Sequence, residues 1–206
     1  MGTMRRLAVL AVVVTAVLAG AAWPAGAQTD VSGPFAGTGT FDFSCSFAHE
    51  MNSGTGDWTG LGAVTWSLDF CVQIPPDIVN DPWPVTSGTF TVTTAGGTLT
   101  GTMGGSIMGG QAQADGRFPF SYVLTVTGGT GDLAGATGQI TLNGLLEYVP
   151  IFGRNLEGTA TGTVAVVHTP ASANACKQDG WRTLTDAAGT TFRNQGDCVS
   201  WANHNL

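Results

Sequence analysis

Apolar and polar residues alternate with a period of two along most of the chain. Phe41, Phe43, Cys45 and Phe47 alternate with Asp42, Ser44 and Ser46, and Val64, Trp66, Leu68 and Phe70 with Thr65, Ser67 and Asp69. Phe90 and Val92 are set among Thr89, Thr91 and Thr93; Phe118, Phe120, Tyr122, Leu124 and Val126 among Pro119, Ser121, Val123 and Thr125. Ile140 and Leu142 repeat the pattern, as do Ala160, Gly162, Val164 and Val166. Successive residues of a strand face opposite ways, so each run predicts a strand with one buried face. Ala95-Gly96-Gly97 joins two of them as a tight hairpin. Helical periodicity is almost absent until the C-terminal end. The pattern predicts an all-β fold, an antiparallel barrel or sandwich. Phe43, Trp66, Leu68, Phe90, Phe120, Tyr122, Leu124, Ile140, Leu142 and Val164 lie on the apolar parity of their strands and are expected to share one interior.

The first 27 residues stand apart from this pattern. Arg5-Arg6 precede an apolar run from Leu7 to Ala22, Trp23-Pro24 breaks it, and Ala25-Gly26-Ala27 has the small-x-small form that a signal peptidase cuts. Length, position and cleavage site favour a removed signal over a membrane span, and an exported mature chain from Gln28. Export changes the reading of the four cysteines, Cys45, Cys71, Cys176 and Cys198. An even number in an oxidising compartment suggests two disulfides. Three pairings are open; Cys45–Cys71 and Cys176–Cys198 are preferred because each falls within one compositional region. Metal binding is disfavoured, with no CxxC and no histidine at ligand spacing.

Of the 7 Lys and Arg, Arg5 and Arg6 leave with the signal, so five basic side chains face 14 acidic ones, a net charge of −9. With no basic stripe, nucleic acid and anionic membranes are poor partners. Apolar and aromatic content is ample for a core, which argues against disorder.

Gly128-Gly129-Thr130-Gly131-Asp132-Leu133-Ala134-Gly135-Ala136-Thr137-Gly138 follows one strand and runs at once into another. A dinucleotide fingerprint needs a helix after its glycines. Here there is room for one turn, and a phosphate would meet Asp132 with no Lys or Arg nearby. Gly128, Gly129, Gly131, Gly135 and Gly138 therefore read as a structural corner.

That corner, from Tyr122 to Gly138, resembles the GGTGxFxGAxG segment of the allene oxide cyclase-like and dirigent-like barrels, with Leu133 where an aromatic is common. Gly158-Thr-Ala-Thr-Gly-Thr-Val164 resembles their closing strand, and the resemblance covers roughly Phe35 to Val167. It implies an antiparallel closed β-barrel of about eight strands, a lumen for a small apolar ligand, and assembly into homodimers or homotrimers. Cyclases, stereo-directing proteins without chemistry of their own and many secreted bacterial proteins share this form. At the other end, Cys176-Lys-Gln-Asp-Gly-Trp181 and Phe192-Arg-Asn-Gln-Gly-Asp-Cys198-Val resemble a CKxGGW…FxNQGxCV module of secreted actinobacterial proteins, with Asp179 in place of the first glycine. A short helix over residues 171–178 and a second one capped by Asp197 are expected there, stapled by a disulfide worth roughly 3 kcal/mol. The expected layout is a signal at 1–27, a barrel at 28–168, and a linker with a disulfide-stapled helical appendage at 169–206.

No catalytic constellation stands out. GxSxG, HExxH and a calcium loop are all missing from the sequence. His204 sits at the terminus, His168 abuts the linker, and His49-Glu50 reads as a solvated pair at a strand end. Asp42 and Asp69 fall on polar faces and read as surface. Tyr122 is the one polar group on an aromatic inward face, a core residue or a lumen hydrogen-bond donor. The sequence therefore favours a secreted binding or interaction barrel with no cofactor over a cyclase or isomerase that works by positioning. A buried Asp or Glu next to Tyr122 would reverse that preference.

Overall fold

A computed structural model describes residues 27–205 except 46, 78, 79, 151, 168, 171 and 183. The expected signal segment, apart from its last residue Ala27, and His168 lie outside the described residues. Eight strands in chain order, β1 (Ala27–Asp42), β2 (Ala48–Trp58), β3 (Gly62–Val72), β4 (Trp83–Thr94), β5 (Gly97–Ile107), β6 (Phe118–Gly129), β7 (Thr137–Val149) and β8 (Gly153–Val166), form one closed antiparallel barrel. Each strand pairs with its chain neighbour, and β1 closes on β8 from Ala27↔Val166 to Thr40↔Gly153.

β3 shows why these segments are strands. Val64, Trp66, Leu68, Phe70 and Val72 are buried while Thr65, Ser67 and Asp69 between them are exposed. The inward sides of all eight strands meet in one apolar cluster, which includes Trp66, Leu68, Phe90, Phe120, Tyr122, Leu124, Ile140, Leu142 and Val164. Phe35 packs edge-on against Trp66 with centroids 5.8 Å apart, and Phe120 stacks on Tyr122 at 4.4 Å. The Trp66 indole has room because Gly37 and Gly54 lie against it; a Cβ at either would overlap its six-membered ring.

Phe43 departs from the expected interior: it is 65% exposed. β1 begins at Ala27 and stops at Asp42, whose carboxylate accepts hydrogen bonds from the Ser44 backbone N–H at 2.8 Å and its hydroxyl at 2.6 Å. That side-chain turn ends the strand before its alternation can carry Phe43 inward.

The glycine-rich corner is a strand, one 3-10 turn (Gly131–Leu133) and a strand. Gly131 and Gly135 adopt φ +60° and +74°, left-handed values that favour glycine. The corner docks on the β4–β5 hairpin, with Thr130 N–H donating to Thr98 O at 2.9 Å and Asp132 N–H to Gly96 O at 2.7 Å.

In the C-terminal part, Cys176–Cys198 joins a turn-rich segment to helix α1 (Gln195–Asn205), and Cys45–Cys71 ties the β1–β2 turn to β3. Two expectations are corrected here. The described part of the 171–178 stretch is turns, followed by left-handed Gln178 and Asp179 at φ 52° and 66°, where a helix cannot continue. The cap of α1 is Asn194, whose Oδ1 accepts the Asp197 N–H at 2.9 Å; Asp197 sits one turn inside and accepts from Arg193 Nε at 2.8 Å.

Candidate functional site

The polar chemistry of the barrel interior collects near the end carrying the β1–β2 and β7–β8 turns. Gly39 of β1 pairs with Asn52 on one side and Arg154 on the other. Having no side chain, it lets groups from β2 and β8 meet across it; a Cβ there would overlap Asn52 Oδ1. Glu50 Oε1 stands 3.3 Å from Arg154 Nη2, with both side chains 2% exposed. Asn52 turns its Nδ2 toward Glu50 Oε2 at 3.4 Å, since a carboxylate only accepts. The guanidinium lies between two rings, 3.9 Å from the Phe41 centroid and 3.7 Å from that of Tyr148.

Four buried polar atoms here have no hydrogen-bond partner among the described residues: Asn52 Oδ1, Arg154 Nε, and the hydroxyls of Tyr122 and Tyr148. Each such group costs about 1–3 kcal/mol, and native proteins keep few of them. Burial pushes the Glu50 carboxyl above its ordinary range, opposed by Arg154 and by the Asn52 hydrogen bond. Burial, reinforced by the Glu50 charge, raises the Tyr122 hydroxyl well above its usual value, and burial raises Tyr148. Both phenols therefore stay protonated and able to donate.

Above this nest lies an aromatic mouth. Phe41, Phe43 and Phe152 meet edge to face, with centroids 5.6, 5.0 and 6.0 Å apart. Phe43, Phe152 and Phe47 are 65%, 52% and 43% exposed. Phe152 holds φ +63°, a left-handed conformation costly for a bulky residue, and its carbonyl accepts the Phe41 N–H at 3.1 Å. A second ring row, Trp83, Phe118 and Tyr148, borders the nest with centroids 5.3–6.2 Å apart.

The expected interior residues other than Phe43 are brought together, and Tyr122, expected as a core residue or a lumen donor, is buried with no partner for its hydroxyl among the described residues. Glu50, Asn52, Arg154 and Tyr148 were not foreseen. The reading of His49-Glu50 as one solvated pair is corrected: β2 alternates, so His49 faces out and Glu50 in. A signal was present, because Arg154 shares the parity of Leu156, Ala160 and Val164, and Tyr148 that of Leu142 and Leu146. The described clefts also lie elsewhere than in a ring-lined lumen. Two open ones, about 310 and 620 Å³, flank the Cys45–Cys71 disulfide on the outside of the mouth.

On that outer side, His49 Nε2 is 2.8 Å from Asp69 Oδ1 and its Nδ1 is 3.1 Å from Ser44 Oγ and 3.5 Å from Asp42 Oδ1. Asp42 and Asp69 are at the surface, as expected. The array has the residue types of a nucleophilic triad, but the Ser44 hydroxyl donates to Asp42, leaving the imidazole no proton to take from it. Hydrogen bonding to Asp69 raises the His49 pKa against the effect of burial. This is a hydrogen-bonded clip holding the β1–β2 turn to β3. No cluster of metal-ligating side chains occurs among the described residues, and no described helix is long and apolar enough to cross a membrane. Comparison with protein-family models, with curated proteins and with solved structures finds no match.

Proposed function

We propose that this protein is an exported barrel that binds a small, mainly apolar molecule at the mouth formed by the β1–β2 and β7–β8 turns, without chemistry of its own. One observation carries the reading: four buried polar atoms without partners gather around the Glu50–Arg154 pair, directly beneath exposed rings. Sites for small molecules combine apolar walls with a few convergent polar groups in this way. The rings would desolvate the body of the ligand and the nest would take its polar end, with Phe43 and Phe152 moving aside on their turns to admit it. Two disulfides and the N-terminal signal-like segment support export. The eight-stranded closed barrel is the form that the likeness to allene oxide cyclase-like and dirigent-like proteins implies.

Native mass spectrometry of the protein recovered from culture medium tests this, together with titration by the neutral fluorophore N-phenyl-1-naphthylamine. A small-molecule adduct lost on denaturation, or saturable fluorophore binding, is expected. A bare chain that binds no fluorophore would overturn the reading.

A second reading also has an observation behind it, and it is the one that would reverse the preference for binding. Glu50 is a buried carboxyl with a raised pKa, close enough for its charge to act on the Tyr122 hydroxyl. That pair would suit a cyclase or isomerase moving a proton on a positioned substrate. The pairing of Glu50 with Arg154 favours binding, because a carboxylate held by a guanidinium is a poorer base.

A further inference from the structure

We infer that the polar end of the ligand taken by this site is an uncharged hydroxyl-bearing group, as in a medium-chain alcohol, and not a carboxylate, phosphate or ammonium. The inference rests on the proposed binding function and concerns what the nest selects.

Charge decides first. Glu50 and Arg154 already neutralise each other with their side chains 2% exposed, and Tyr122 and Tyr148 add no charge because burial keeps them protonated. A carboxylate placed beside this pair would meet Glu50 with no second cation to answer it. An ammonium would meet Arg154 in the same way. Either would bring an uncompensated charge into a site closed to water, the costliest thing an apolar interior can hold. A neutral group brings none.

The unpaired atoms decide next. Asn52 Oδ1 only accepts, Arg154 Nε only donates, and the two phenols can do both. The amide cannot be turned over to swap its roles, because its nitrogen faces the Glu50 carboxylate. An ether, ester or ketone oxygen would satisfy the donors and leave Asn52 Oδ1 unpaired. A ligand hydroxyl both donates and accepts, so one group can serve both ends of the nest. Discrimination of this kind is steep, since a missing partner leaves a buried polar group of the protein exposed to nothing.

The test uses the full mature chain and calorimetric titration near neutral pH with 1-octanol, octanoate and octylammonium, three probes with the same tail. Octanol is expected to bind at least ~10-fold more tightly than either ion. Asn52→Leu, with folding checked by circular dichroism, should weaken octanol by about tenfold. Should that variant fold poorly, Tyr148→Phe removes a single hydroxyl and should weaken octanol several-fold. Octanoate or octylammonium binding as tightly as octanol overturns the inference, as does unchanged octanol affinity in the folded variant. Fluorophore binding without octanol binding also overturns it while leaving the broader reading intact. Failure of the fluorophore and all three probes overturns both.

Discussion

Replacing Arg154 by Met would strand Glu50. The carboxylate now has the Arg154 guanidinium 3.3 Å away and almost no water, both side chains being 2% exposed. Removing one member of such a pair costs about 3–5 kcal/mol, a large share of the roughly 5–15 kcal/mol that holds a domain folded. The Met side chain fills similar space, and its sulfur can still lie against Phe41 and Tyr148, so most of the loss is the stranded charge. That makes the loss pH-dependent. Burial already lifts the Glu50 pKa above its ordinary value of 4.5, and Arg154 opposes the lift. Without Arg154 it rises further, so the folded state holds a proton more tightly than the unfolded chain. Stability is then greatest below the unfolded value and falls as pH climbs to the folded one, by at most about 1.4 kcal/mol per pH unit. Urea unfolding followed by circular dichroism should show the full defect near about pH 8 and a much smaller one near about pH 5. The double variant Glu50→Gln/Arg154→Met removes both charges and should regain at least about 2 kcal/mol. A loss under about 1 kcal/mol at the higher pH, or an equal loss at both, would refute the account of the pair.

Gly129→Val puts a side chain where a Cβ already overlaps the carbonyl oxygens of Leu133 and Thr98. A cost of about 3 kcal/mol should lower Tm by roughly 6–12 °C in calorimetry, and an unchanged Tm would show that the corner is not tight. His49 has a folded pKa raised above its ordinary 6.5, mainly by its hydrogen bond to Asp69. Its contribution is full below that ordinary value and is lost as pH rises through the folded one. His49→Gln should therefore cost more stability near about pH 5.5 than near about pH 9, and equal costs would sink the clip.

Much of the barrel could be read in advance because β3 and β6 carry large apolar residues along their inward faces, as does β7 at Ile140, Leu142 and Leu146. β2 could not. Its inward positions are Ala48, Glu50, Asn52, Gly54, Gly56 and Trp58, so the period-two signal vanishes although the strand is complete. The two glycines serve neighbours, since Gly54 makes room for Trp66 and Gly56 for Trp58. The same substitution of polar for apolar residues hid the candidate site, because Glu50 and Asn52 look like surface to any rule that equates polarity with exposure. Arg154 and Tyr148 were within reach by extending the parity of β8 and β7 toward the hairpin that joins them. Phe43 failed for the opposite reason: its parity was right, but the strand had already ended at Asp42. The Cys45–Cys71 and Cys176–Cys198 pairs form as regional proximity suggested.

The β1–β8 ladder makes the barrel a ring fastened by its first and last strands. Gln28, near the start of β1, is the register partner of Ala165 in β8, so this seam has the greatest sequence separation in the barrel. Loop closure of that size must be completed before the seam rewards it, which makes closure the slow and late step of folding. Until residue 166 has been synthesised, the edges of β1 and β7 are open strands able to pair with any passing chain. Every truncation that stops short of β8 inherits that condition permanently. Such a chain is an open sheet with two raw borders, and its natural fate is self-association, not a smaller barrel.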